Sequence, residues 1–388
     1  MSFRESVKAL LERQEALLSR ANRPVPSDNS LWTRRERPIL TAQHTPMAWR
    51  YDFDEATNPL LLQRMGINAV FNAGALHHDG RFTVCARVEG DDRKSFFALA
   101  DSRDGVQGFR FRKNPLWIEP LDEDEVNHYD MRLTRHEDGW IYGTFCVERK
   151  DPTTTDISAA VAQCGIVRTR DLETWERLPD LVTPSAQQRN VVVHPEYVDG
   201  KYMLYTRPQD GFINVGGGGG IGIGFSDTMD GARVEEETVL EPRRYHTVTE
   251  GKNGQGPAPL KTDRGWIHLA HGVRPTAAGL RYVLYCFVTD LEDPTRVIRR
   301  PMGHLLAPRR DERVGDVSNV AFSNGWIERD GTVYCYYGAS DTRLHVATCP
   351  TDELIDWAMN TPEDTLTTWG NNRLRLDMIA HNEAVMAK

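Results

Sequence analysis

The sequence predicts an all-β chain, a five-bladed β-propeller with an N-terminal α-helical extension. Three observations carry this. Alternating apolar strands fill the chain beyond about residue 30. Five of them follow a turn dipeptide ending in glycine, at one irregular but persistent period. No regular helices separate the strands, as a parallel α/β fold would require.

The helix comes first. From Ser2 to about Asn22, the apolar residues Val7, Leu10, Leu11, Ala16, Leu17 and Leu18 recur at roughly helical spacing, with charges between them. The stretch Arg23-Pro24-Val25-Pro26-Ser27 stops it. Residues 1–30 therefore read as an amphipathic helix and linker, and residues 31–388 as one propeller domain. The apolar stripe of the helix has two possible destinations, the propeller or another subunit.

The five repeats follow. Asp79-Gly80 precedes RFTVCARVEG, Asp138-Gly139 precedes WIYGTFCVER, and Asp199-Gly200 precedes KYMLYTRPQ. Arg264-Gly265 precedes WIHLAHGV, and Asp330-Gly331 precedes TVYCYYGASD. By subtraction the glycines lie 59, 61, 65 and 66 residues apart. Asp-Gly is a strong hairpin signal, because a type I′ turn needs positive φ at both central positions. Several units carry a second half, a polar turn before a tryptophan or phenylalanine strand: ADSRDGVQGFRF, VRTRDLETWERL and VATCPTDELIDWA. Two hairpins make a four-stranded sheet, and five such sheets around an axis make a propeller. Functional residues should then recur at similar points in each unit, around one mouth of the channel.

Composition narrows the function classes. The chain has 388 residues, 27% of them charged, and a formal net charge of −9. That argues against a general nucleic-acid binder, which carries a basic face. It leaves room for an anionic small substrate, since a few arginines can dominate one pocket. There is no signal-like start and no long apolar run, so no membrane association is expected. None of the six cysteines forms a C-x-x-C pair, which reads as reduced, buried thiols in a cytoplasmic protein. The histidines are scattered, and His77-His78 would point to opposite faces of a strand, so no metal is expected.

Asp130 is the candidate acid. It starts a strand in HYDMRLT, between aromatic and apolar neighbours, where a tuned pKa would suit general acid catalysis. The competing reading is an aspartate that caps backbone amides. Arg189, Arg207, Lys252 and His271 each fall at the edge of an apolar strand. Any one of them alone reads as a surface cation or local ion pair. Four at repeat-equivalent edges suggest a shared oxyanion pocket, for which arginine has the best geometry. The glycine run at residues 216–220 lacks G-K-[ST] and a following helix, so it reads as a flexible loop near the pocket mouth.

These motifs resemble glycoside hydrolase family 130, the inverting β-mannoside phosphorylases and their relatives. The resemblance runs from about residue 71 to about residue 348. It includes FNAGA, ARVEGDDRKS, HYDMRLT with HEDGWIYGTF, and RNVVVHPEYVDGKYMLYTRP. It continues through EGKNGQGPAPLKT, GWIHLAHGV, VGDVSNVAFSNGW and YYGASDTRLHVAT. YDMRLT and DDRKS look closest to the subgroup acting on 4-O-β-D-mannosyl-D-glucose. The family is one of five-bladed propellers.

The resemblance implies that Asp130 is the general acid, acting through the mannose 3-hydroxyl. It implies that Arg189, Arg207 and His271 hold phosphate, with Lys252 beside them. Asn72, Arg87 and Asp341 would bind the mannosyl unit, and Arg93 would help shape the sugar pocket. Tyr245 and His246, near Lys252, are candidates for the glucose subsite. The products would be α-D-mannose 1-phosphate and D-glucose. Inorganic phosphate is then a co-substrate and no cofactor is needed. The family and the N-terminal helix together suggest a homo-oligomer.

Phosphorolysis needs one acid and a cationic site for the nucleophile, whereas an inverting hydrolase needs a second carboxylate as base. The cationic set favours phosphorolysis. A β-mannoside hydrolase, a phosphorylase of another β-mannoside and a non-catalytic glycan-binding propeller are the alternatives.

Overall fold

The computed structural model describes residues 2–26, 31–211, 215, 216 and 218–388. Met1, residues 27–30 of the linker and Gly217 of the glycine run lie outside the described residues. Helix α1 (Phe3–Leu18) opens on a capping box. Glu5 N–H donates to Ser2 Oγ, and Ser2 N–H donates to the Glu5 carboxylate at 2.7 Å. The helix docks on the propeller. Leu10 and Gln14 are buried, Gln14 Nε2 donates to the Thr45 carbonyl, and Glu15 pairs with Arg110. Two short strands follow, β1 (Pro24–Pro26) and β2 (Thr33–Arg35).

Five antiparallel sheets then form the blades. Blade I holds β3 (Ile67–His78), β4 (Arg81–Gly90), β5 (Ser95–Ser102) and β6 (Arg110–Phe111). Blade II holds β7 (Glu125–Arg135), β8 (Ile141–Lys150), β9 (Ala160–Thr169) and β10 (Glu176–Leu181). Blade III holds β11 (Val192–Val198), β12 (Lys201–Thr206), β13 (Ile221–Ser226) and β14 (Thr238–Glu241). In blade IV the innermost strand is broken at Gly256-Pro257-Ala258-Pro259 into β15 (Lys252–Gln255) and β16 (Leu260–Thr262), both paired with β17 (Gly265–Thr276). Strands β18 (Gly279–Thr289) and β19 (Val297–Arg299) complete it. Blade V holds β20 (Ala321–Arg329), β21 (Thr332–Ala339) and β22 (Arg343–Pro350).

Blade V is finished by the other end of the chain. β2 pairs with β22, Thr33 opposite Thr348, and β1 adds outside it. This closes the ring. Behind the seam, buried Arg34 pairs with Glu312, donates to the Ala307 carbonyl at 2.7 Å, and Glu312 accepts from Tyr337 Oη at 2.7 Å.

The fold confirms the five-bladed propeller and corrects three local expectations. Asp79-Gly80, Asp199-Gly200 and Asp330-Gly331 have positive φ at both residues, as a type I′ turn requires. At Asp138-Gly139 only the glycine does, and His136 N–H returns to the Trp140 carbonyl, which makes a three-residue loop. In blade IV Thr262 pairs with Gly265, so the turn is Asp263-Arg264 and Gly265 already belongs to the strand. The third correction is VATCPTDELIDWA. Its second half is not a strand but helix α2 (Thr351–Asn360), which buries Leu354 and Ala358 one turn apart. A further helix, α3 (Thr368–Met386), follows with Trp369, Met378 and Ile379 exposed; neither helix was foreseen within residues 31–388.

Candidate active site

The innermost strands build the site by a repeated irregularity. In β3, β7 and β20 the register slips by one residue, between Phe71 and Gly74, Tyr129 and Arg132, and Phe322 and Gly325. Each slip is a β-bulge, a device that re-aims a side chain. Asn72 and Asp130 sit in these bulges with φ of 43° and 61°. Asn190, just ahead of β11, has φ of 58°. The left-handed backbone is tolerated by Asn and Asp, whose short polar side chains can bond locally. The second strands add Arg87 within β4 and His271 within β17. Arg207 directly follows β12, and Asp341 lies just beyond β21.

Together they enclose a cavity of about 840 Å³. Nine of the eleven residues singled out from the sequence line it, all but Tyr245 and His246. Its contents separate into two ends. At the acidic end Asp130 Oδ1 accepts from Asn72 Nδ2 at 3.0 Å and pairs with Arg87 Nη1 at 3.4 Å. Arg87 also pairs with Glu89 at 2.7 Å and lies over the rings of Phe71 and Tyr129, 4.6 and 4.7 Å from their centroids. Burial and the neighbouring charge of Asp130 push the Asp341 carboxyl up to about 7. Gly338 is required here by close approach. A Cβ on it would lie 2.4 Å from Asn72 Oδ1.

At the other end the cations gather. Arg207 is buried, donates through Nε to Gln209 at 3.0 Å, and approaches His271 Nε2 at 3.5 Å. Burial and the charges of Arg189 and Arg132 lower its pKa to about 10. Lys252 lies over the Tyr282 ring at 5.6 Å, and burial with the charges of Arg207 and Arg189 lowers its pKa to about 8. Among the described residues neither Arg207 nor Lys252 has a carboxylate within ion-pair distance. Like charges held this close favour a bound anion. His271 differs from its expected role as a positive group. Fully buried beside three cations, it is pushed well below the ordinary histidine range and is neutral.

Tyr282 feels both ends, the charges of Arg207 and Arg189 and those of Asp341 and Asp130. Arg93 stands at the rim, exposed, in the turn between β4 and β5. Tyr245 and His246 stand apart. Tyr245 is 85% exposed, and His246 lines a separate cavity beside Arg300. None of the described glycines between residues 216 and 220 lines the main cavity.

Sequence reasoning missed Asn190, Tyr282 and Phe322 in the lining and Arg132 beneath it. Stacking the five units on their bulges would have exposed all of these but Tyr282. FNAG, YDMR, RNVV, KNGQ and FSNG then share columns. Among the described residues no cluster of His, Cys, Asp or Glu is arranged to hold a metal, and no helix is long and apolar enough to cross a membrane. The six cysteines are buried and unbridged.

The profile of glycoside hydrolase family 130, described as β-1,4-mannooligosaccharide phosphorylase, matches residues 35–360. A 4-O-β-D-mannosyl-D-glucose phosphorylase of Bacteroides fragilis is 55% identical over 99% of both chains. A β-1,4-mannooligosaccharide phosphorylase of Ruminococcus albus is 28% identical over 80% of this chain and 90% of its own. Among solved structures, the β-1,2-mannobiose phosphorylase of Listeria innocua superposes with a TM-score of 0.68 at 22% identity, covering 84% of this chain and 99% of that one. That likeness speaks to the fold.

Proposed function

The chain belongs to glycoside hydrolase family 130, and from that we infer that it cleaves 4-O-β-D-mannosyl-D-glucose by inverting phosphorolysis. The observation that carries this reading is the division of one cavity into an acid end at Asp130 and a cationic end at Arg207 and Lys252. A hydrolase would need a general base to activate water on the face opposite the acid. Cations serve a nucleophile that is already charged.

In the proposed reaction Arg189, Arg207 and Lys252 fix the phosphate dianion, with neutral His271 adding a hydrogen bond. Asn72, Arg87 and Asp341 hold the mannosyl unit, and Arg93 shapes the entrance. A phosphate oxygen forms a bond to the anomeric carbon as the bond to the glucose oxygen breaks. Asp130 supplies the proton that glucose keeps, relayed through the mannose 3-hydroxyl. The products are α-D-mannose 1-phosphate and D-glucose, and Asp130 is left as a carboxylate to be reprotonated. Holding the nucleophile in line lowers such a barrier by roughly 7–11 kcal/mol in the best cases. No cofactor enters. Unbridged thiols support a reducing cytoplasm, and the exposed apolar side chains of α3 support an oligomer.

The test is to incubate the protein with the disaccharide, with and without phosphate. Mannose 1-phosphate formed only with phosphate supports the reading. Free mannose without phosphate means a hydrolase. No product, with sugar binding retained, means a glycan-binding propeller.

A further inference from the structure

Arg132 lies two residues beyond Asp130 and is 1% exposed. It does not line the cavity but sits beneath it. Its guanidinium makes three hydrogen bonds: Nη1 to the Asp130 carbonyl at 2.8 Å, Nη2 to Asn190 Oδ1 at 2.7 Å, and Nε to the Gly256 carbonyl at 3.0 Å. The Phe322 ring lies 5.8 Å from it. These partners come from blade II, the entry to blade III, blade IV and blade V. All are neutral, and among the described residues no carboxylate pairs with Arg132. Burial lowers its pKa to about 10, yet it stays charged. A buried charge without an ion-pair partner is costly, and the charge of nearby Asp130 only partly offsets it. Filling space would be cheaper with an apolar side chain.

What the fork holds is specific. Asp130 and Asn190 are both left-handed, with φ of 61° and 58°. Asp130 has no ladder partner at the bulge, and its carbonyl accepts from Arg132 Nη1. Asn190 adjoins Arg189 at the cationic end. One rigid planar group therefore spans the kink that aims the acid and the kink beside the phosphate cations. We propose that Arg132 is a positioning residue that sets the Asp130 carboxyl against the phosphate-side residues Arg189 and Asn190, acting through the Asp130 carbonyl and the Asn190 side chain. This rests on the reading of Asp130 as general acid. Lysine in its place keeps the charge but loses the fork.

The test is a double-mutant cycle on disaccharide phosphorolysis: wild type, Arg132→Lys, Asp130→Asn and the double variant, with thermal midpoints for all four. A displacement on the order of 1 Å costs about a hundredfold, so Arg132→Lys should lower kcat about that much. Its KM values for disaccharide and phosphate should move less than about threefold, because the ligands' own contacts remain. In the Asp130→Asn background the same change should cost less than about threefold in kcat, because its route of action is gone. Equal losses in both backgrounds, or a lowered midpoint with kcat intact, would overturn the role. Should Arg132→Lys not fold, Asn190→Ala cuts the same bridge from its other end and is scored on the kcat coupling alone, since Asn190 itself lines the cavity. A wild type that makes no mannose 1-phosphate overturns the proposed function itself, and this role falls with it.

Discussion

Raising the pH from about 7.5 to about 9 should discharge Lys252 while leaving the arginines around it charged. Its pKa of about 8 reflects burial first and then the charges of Arg207 and Arg189. The protonated fraction in the free protein then falls from about three quarters to about a tenth. Arg207, at about 10, keeps its proton across this window, and His271 is neutral throughout. A hydrogen bond to a charged group contributes about 1.5–3 kcal/mol, or roughly 10- to 150-fold in affinity. Weighting the two forms of Lys252 by their populations gives a rise of about four- to eightfold in the dissociation constant for the phosphate dianion. Calorimetric titration of phosphate at the two pH values, corrected for the dianion fraction, reads this directly. Lys252→Met should bind weakly at both and lose the pH step. A flat wild-type constant, or the same step in Lys252→Met, would refute phosphate binding at this lysine.

Further outcomes follow from the same geometry. Asp130→Asn should lower kcat by roughly 10²- to 10⁴-fold with the disaccharide still bound, checked by steady-state kinetics and calorimetry. Asp341 has its pKa raised on folding, to about 7 from 3.8. The folded state therefore binds the extra proton between these values, and stability falls as pH rises through 7. Asp341→Asn should accordingly be more stable than wild type at about pH 8, with the gain vanishing below about pH 4, as read by thermal midpoints. At the ring closure, Arg34→Met strands half-buried Glu312 and should cost about 3–5 kcal/mol in denaturant unfolding, and leaving Arg34 and Glu312 as they are while exchanging a rim pair such as Lys201 and Asp227 should cost under about 1 kcal/mol.

Much of this architecture was legible because it lies in local signals. Asp79-Gly80, Asp199-Gly200 and Asp330-Gly331 enforce their turns through the backbone alone, so counting them counted blades. The site residues were legible for a related reason. Asn72 and Asp130 occupy one position in successive units, where a bulge turns a strand residue into the channel, and Arg189 stands one residue ahead of the matching Asn190. What was not legible depends on distant partners. β2 is three residues long, and its place in blade V is decided by β22, more than three hundred positions later. Helix α2 opens on Thr351-Asp352-Glu353, a polar run that reads equally as a turn, and it is Leu354 and Ala358, buried one turn apart, that mark the segment as helix. The neutrality of His271 and the lowered pKa of Lys252 come from burial and from charges on other blades, which no window of sequence contains. Arg132 escaped for the same reason. It stood beside the acid, but its partners lie in blades III and IV.

The central claim is that phosphate, held by the cations, attacks the anomeric carbon opposite Asp130. Turnover of 4-O-β-D-mannosyl-D-glucose with oxygen-18-labelled phosphate, followed by proton and phosphorus NMR, tests it most directly. The account predicts α-mannose 1-phosphate as the first product, one per glucose released, with its bridging oxygen drawn from phosphate. The β anomer, or mannose that has taken its oxygen from water, would contradict it.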